Sequence, residues 1–104
     1  MTKFLFVYHG GSVPATPAEQ ARVMDLWGKW FGGMGAAVVD GGNPVGQSHT
    51  VLPNGSVAPN GGANPASGYS IVQADSLDAV LAIAKGCPIL QGGGSVEVAP
   101  IIDM

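Results

Sequence analysis

The stretch Lys3-Phe4-Leu5-Phe6-Val7-Tyr8-His9-Gly10-Gly11 decides how the rest of the chain must be arranged. Aromatic and branched apolar residues fill it from Phe4 to Tyr8, and two glycines end it. Side chains alternate along a strand, so Phe4, Phe6 and Tyr8 share one face, and Leu5 and Val7 share the other. A strand apolar on both faces is buried on both. One face must meet helices, and the other must meet something else.

The helices are legible further along. Thr16-Pro17-Ala18-Glu19 is a helix start, with Thr16 as N-cap, Pro17 at the first helical position and Glu19 closing a capping box. Val23, Trp27, Trp30 and Met34 follow at helical spacing, with Met24 and Phe31 alongside. Arg22, Asp25 and Lys29 form the wet side, where Asp25 and Lys29 pair at i,i+4. Gly28, Gly32 and Gly33 oppose a helix by about 1 kcal/mol each relative to Ala. The helix is expected to reach about Gly33, with Gly35 as a left-handed terminator. The internal glycines are expected to let it approach the sheet closely.

A second helix opens at Asp75-Ser76-Leu77-Asp78, with Asp75 or Ser76 as N-cap. Leu77, Val80, Leu81 and Ala84 form its apolar side. Gly86 closes it and Pro88 prevents its continuation. Strands are expected at Ala36 to Asp40, Gly68 to Ala74 and Ser95 to Ala99. Between them, Ser48 to Leu52 and Ser56 to Ala58 flank the turn Pro53-Asn54-Gly55 as a small hairpin. Asn60 to Ser67 is a glycine- and asparagine-rich loop.

The order predicts one α+β domain over residues 1–104: a ferredoxin-like βαββαβ sandwich with an extra hairpin. Two helices cover one sheet face. With Leu5 and Val7 directed at the helices, the outer face carries Phe4, Phe6 and Tyr8. No element remains to cover it, so a homodimer is expected.

Charge is sparse. Asp, Glu, Lys and Arg make up 11% of 104 residues, against roughly 25% in a typical soluble domain. The formal net charge is −3, and the four bases Lys3, Arg22, Lys29 and Lys85 are scattered. Nucleic acid is excluded as a partner, because no basic stripe exists to neutralise phosphates. No run of 18 apolar residues is present, so no membrane span is expected. The apolar run at Phe4 to Tyr8 is too short for a signal peptide. With Cys87 the one cysteine, there is no internal disulfide and no cluster site, and a cytoplasmic protein is expected.

Several segments resemble the YCII-related protein family: Asp75-Ser76-Leu77-Asp78-Ala79-Val80, then Cys87-Pro88, then Val96-Glu97-Val98. Gly68-Tyr69 before them fits as well, as does the first strand followed by a capped helix. The resemblance spans nearly the whole chain. It implies the dimeric α+β barrel, in which two ferredoxin-like sheets face each other. Some members carry a His–Asp pair with the histidine on the first helix. Asp40, at the end of the second strand, fits the position of that aspartate, but no histidine lies between Thr16 and Gly35. An Asp-Gly-Pro-Phe motif of a related subgroup is replaced here by Ala58-Pro59-Asn60-Gly61.

Candidate functional residues follow from these placements. His9, at a strand end before Gly10-Gly11, is a candidate general base. Asp40 is a candidate catalytic acid, or an Asx-type turn former before Gly41-Gly42-Asn43-Pro44. Tyr69 and Gln73 share a strand face with Ile71 between them. If that is the Phe4-Phe6-Tyr8 face, then Tyr8, Tyr69 and Gln73 give polar points to an apolar chamber that Trp30 helps to wall, and Glu97 joins them. Asp40, His9 and His49 form the one conceivable metal set, without a recognisable spacing, and no metal or other cofactor is expected. Gly41-Gly42 and Gly92-Gly93-Gly94 open no helix, so they are not phosphate loops. Cys87 follows a helix C-terminus and reads as structural.

Two functions remain. The first is a small-molecule-binding protein with its pocket near the dimer barrel, in one version a cofactor-free enzyme. The second is a non-catalytic homodimeric interaction or accessory domain. A pocket holding Asp40 or His9 beside Tyr69 or Tyr8 favours the first, and a filled interface with no cavity tells against its enzyme version.

Overall fold

The computed structural model describes residues 1–11 and 14–104. Strand β1 is Thr2–His9. Helix α1 is Pro17–Met34. Its cap is built as the sequence implies: the Thr16 hydroxyl accepts from the Glu19 N–H at 3.1 Å. The Glu19 carboxylate accepts from the Ala15 N–H at 3.2 Å, one residue earlier than in the expected capping box. Asp25 and Lys29 pair at 2.9 Å.

Gly35 ends α1 with φ 55° and ψ −122°. The positive φ suits glycine, but the ψ lies outside the left-handed helical region that was expected. A 3-10 turn at Gly35–Ala37 follows. It takes up the first residues of the expected second strand, so β2 is only Val38–Asp40. Gly28, Gly32 and Gly33 do not serve close packing, because a Cβ added at any of them meets nothing within 4 Å. They lie on the exposed side of α1.

The hairpin forms as β3, Thr50–Val51, and β4, Val57–Ala58. Its turn is tied by Gly55 N–H to Leu52 C=O at 2.8 Å and by the Asn54 side chain, which accepts from the Ser56 N–H at 3.0 Å. Strand β5 is Ala66–Ala74. Helix α2 is Leu77–Ala84, and the hydroxyl of its N-cap Ser76 accepts from the Ala79 N–H at 3.1 Å. A second 3-10 turn, Pro88–Gly92, leads to β6, Ser95–Pro100.

The main sheet has the order β2-β5-β1-β6 and is antiparallel throughout. That is the ferredoxin-like arrangement, with the β3–β4 hairpin as a separate two-stranded sheet. No helix is long and apolar enough to cross a membrane among the described residues.

Register settles which face is inside. Phe4 lies opposite Val72, Phe6 opposite Ser70 and Val98, and Tyr8 opposite Gly68 and Val96. These residues form the core with Val80, Ala84 and Cys87, and Trp27, Trp30, Met34 and Ile83 pack on them from the helices. Phe6 is fully buried. The expected face assignment is therefore reversed. Phe4, Phe6 and Tyr8 point at the helices, and Leu5 and Val7 point away. The physical reason is size: two Phe and a Tyr bury more apolar area against α1 and α2 than Leu and Val would. The outer face carries Leu5 opposite Ile71, Val7 opposite Tyr69 and Glu97, and Lys3 opposite Gln73. Leu5, Val7, Tyr69, Ile71 and Gln73 are all half-buried there.

Candidate functional site

The chain has seven aromatic residues, 2 Trp, 2 Tyr and 3 Phe, and most of them converge under α1. Tyr8 meets Trp27 edge-on at 5.0 Å between ring centroids. Trp27 meets Trp30 at 5.6 Å and Phe31 at 5.9 Å. Trp30 stacks on Phe6 at 6.1 Å. Stacked and edge-to-face ring contacts add about 0.5–1.5 kcal/mol each beyond area burial. They also stiffen whatever they enclose.

A cavity of about 350 Å³ opens beside this cluster. Its apolar walls are Tyr8, Trp27, Phe31 and Ile89, and Gly41 to Pro44 with Ser67 to Tyr69 close the far side. That volume sits at the small end of ligand sites. A hydrogen-bond relay joins two of its lining residues, Tyr8 and Gly41, through the buried Ser70. The Tyr8 hydroxyl donates to Ser70 Oγ at 2.8 Å, and Ser70 donates to the Gly41 carbonyl at 2.7 Å. Burial pushes the Tyr8 phenol up to about 12, although the Ser70 hydrogen bond opposes the shift. Tyr8 therefore keeps its proton and donates it to Ser70.

Gly42 seals the turn. Its φ is +70°, and a Cβ there would sit 1.7 Å from the Tyr69 carbonyl oxygen. The turn is held from the other side by Asp40, whose Oδ1 accepts from the Gly42 N–H at 2.8 Å. Asp40 is exposed. Of its two sequence readings, the Asx-type turn is the one formed, and its backbone neighbours, not its carboxylate, line the cavity.

His9 lies on the outer sheet face. Its Nε2 is 2.9 Å from Glu97 Oε1, and its Nδ1 is 3.2 Å from the Pro65 carbonyl. Both partners are acceptors, so both bonds form only when both ring nitrogens carry protons. The Glu97 hydrogen bond, together with the Pro65 carbonyl, raises the His9 pKa above 6.5, against a smaller opposing effect of burial. His9 thus bridges β6 and the loop before β5.

Of the residues singled out from sequence, Tyr8 and Tyr69 come together at the cavity. Trp30 is part of the core wall, its indole N–H donating to the Ile83 carbonyl at 3.0 Å. Gln73 donates to the Ala36 carbonyl at 3.1 Å on the outer face. It shares that face with Tyr69, Ile71 and Glu97 as alternation implied, but with Leu5 and Val7 rather than with Phe4, Phe6 and Tyr8. Among the described residues, no three His, Cys, Asp or Glu side chains gather where a metal ion could be held. Cys87 is buried, and burial pushes its thiol up to about 11. Phe31, Ser67 and Ser70 were not recognised as site residues. Phe31 follows the helical spacing, but the serines carry no sequence signal beyond strand alternation.

Comparison with known proteins places the fold. Residues 31–104 match the family described as the YCII-related domain. No curated protein matches the chain in sequence. Among solved structures, 5-chloro-2-hydroxyhydroquinone dehydrochlorinase from Burkholderia phenoliruptrix AC1100, in complex with 2,5-dihydroxybenzoquinone, is similar with a TM-score of 0.56. The likeness covers 96% of this chain and 95% of that one, at 15% sequence identity.

Proposed function

This chain belongs to the YCII-related family, and from that footing we propose that it is a homodimeric protein that binds a small planar molecule under α1. The cavity walled by Tyr8, Trp27, Phe31 and Ile89 carries this reading. Aromatic walls with a few fixed polar atoms suit a flat ring whose substituents reach the Tyr8 oxygen and the backbone at Gly41 to Asn43. The solved dehydrochlorinase is bound to such a ring, and this cavity has the size to take one.

Binding is favoured over proton transfer. Tyr8 holds its proton, Asp40 is engaged in its turn, and His9 has both nitrogens committed on the other face. The catalytic roles considered for Asp40 and His9 are accordingly not part of this proposal. A purely accessory domain would have no use for a preformed aromatic cavity.

The dimer reading rests on the outer face. Leu5, Val7, Ile71 and Tyr69 form an apolar strip there, while both helices pack on the opposite side. The chain exposes 6746 Å², whereas a closed domain of this mass exposes about 5,400 Å². Tyr69 belongs to both features, standing on the outer face and lining the cavity. The cytoplasm is the proposed compartment, supported by a lone buried thiol and no cysteine partner for it.

The test is a titration of hydroxylated benzenes and benzoquinones, followed by tryptophan fluorescence and amide chemical shifts. Saturable changes at Trp27, Gly41, Gly42 and Gly68 are expected. Saturation confined to other residues, or none with any ring, would overturn the reading.

A further inference from the structure

We infer that the ligand is longer than one ring: the ring occupies the aromatic chamber, and an apolar extension runs past Trp27 and Ile89 to lie against Val23 and Leu26 of α1. This deepens the cavity reading above and rests on it.

A second cavity, of about 400 Å³, adjoins the first. The two share Trp27, Pro44, Ser67 and Ile89 as lining, so they are lobes of one cleft. Each lobe alone reaches the lower size of a ligand site, about 300 Å³, and a single ring in the inner lobe leaves the outer one unfilled. The outer lobe is lined by Val23 and Leu26 from α1 and by Pro88 and Ile89. Gly10 and Gly11 line it too, without side chains to occupy it. Among the described residues, no Asp, Glu, Lys or Arg lines the inner lobe, and Arg22 at the outer lobe is exposed. The cleft therefore offers apolar contact along its length rather than a partner for an ion.

Helix α1 supplies the second observation. An amphipathic helix on a sheet normally presses its apolar stripe into the core, yet no residue of α1 is buried. Trp27, Trp30 and Met34 pack on the core, whereas Val23 and Leu26 do not and line the outer lobe instead. Both are only half-buried. The stripe thus faces the core along its C-terminal half and the cleft along its N-terminal half. Two branched apolar side chains over an unfilled lobe forgo burial that an apolar extension of the ligand restores. Burying about two methylene groups there suffices for a tenfold gain in affinity.

The experiment compares phenol with 4-ethylphenol and 4-butylphenol, by calorimetry and by amide chemical shifts. Affinity is expected to rise with chain length, by about tenfold or more from phenol to 4-butylphenol. The amides of Val23 and Leu26 should shift with 4-butylphenol and stay in place with phenol. A longer chain binds many apolar surfaces better, so two variants of the same helix locate the gain. Leu26→Trp fills the outer lobe and should cut the gain to less than about twofold. Met24→Trp, at an exposed position that lines neither lobe, should leave the gain intact. Val23→Phe repeats the first substitution one turn earlier, should Leu26→Trp fail to fold. Equal affinity for phenol and 4-butylphenol, or a gain that survives both lobe-filling variants, would overturn the extended ligand while the cavity reading stands. Saturation by none of the three phenols would overturn both.

Discussion

At the scale of single residues, Gly42 and His9 have the sharpest consequences. Gly42 has no room for a side chain, since a Cβ would overlap the Tyr69 carbonyl, whereas a Cβ at Gly41 meets nothing within 4 Å. Gly42→Ala is expected to destabilise by more than about 2 kcal/mol through strain at positive φ and a forced shift of β5. Gly41→Ala should change stability by less than about 1 kcal/mol. Urea denaturation of the pair checks this. For His9 the sign of the pH effect follows from its raised pKa. The stabilisation is fully present below the unfolded value of about 6.5 and is lost as pH rises through the folded value. Melting temperature should therefore fall across that window, and Glu97→Gln should flatten the fall. Sequence alternation puts Glu97 on one face of its strand. It does not reveal that His9, 88 positions away, lies on the neighbouring strand within reach.

At the scale of elements, local chemistry explains most of what formed. Thr16 and Ser76 cap their helices through the side-chain bonds that their sequence positions imply. Ser76→Ala should cost about 1 kcal/mol, measurable by thermal unfolding. The glycines of α1 are a different case. Gly28 and Gly32 are exposed and nothing approaches them, so they lower helix stability without a packing return. Gly28→Ala and Gly32→Ala should each stabilise by about 0.5–1 kcal/mol. A loss of stability in either variant would mean that α1 is covered by a partner. The two 3-10 turns, Gly35–Ala37 and Pro88–Gly92, were not legible. They arise where the chain must step from a helix layer to a strand within a few residues, a demand set by the distance between layers and not by local propensity.

At the scale of the whole molecule, the chain is flat: 44 × 42 × 18 Å, with a radius of gyration of 15.0 Å. A closed domain of this length has a radius of gyration of about 13 Å. One helix layer on one sheet, plus the β3–β4 hairpin, leaves the other sheet face without a layer of its own. Sedimentation at micromolar concentration is expected to show a dimer. Leu5→Asp should yield a folded monomer, because it places a charge on the outer strip alone. Phe6→Asp should instead unfold the protomer, since Phe6 is fully buried beneath the helices. A Leu5→Asp dimer of unchanged stability would remove the outer face as the interface. By itself the sequence determined the two helices with their N-caps, the main strands and the ferredoxin-like order, because spacing and alternation are local properties of the chain. Only the tertiary structure decided which face meets the helices, that Tyr8 and Tyr69 border one cavity while His9 turns away to Glu97, and that the Ser67 hydroxyl has no hydrogen-bond partner among the described residues. Those outcomes depend on strand register and on competing burial areas between residues far apart in sequence, and no local pattern encodes either.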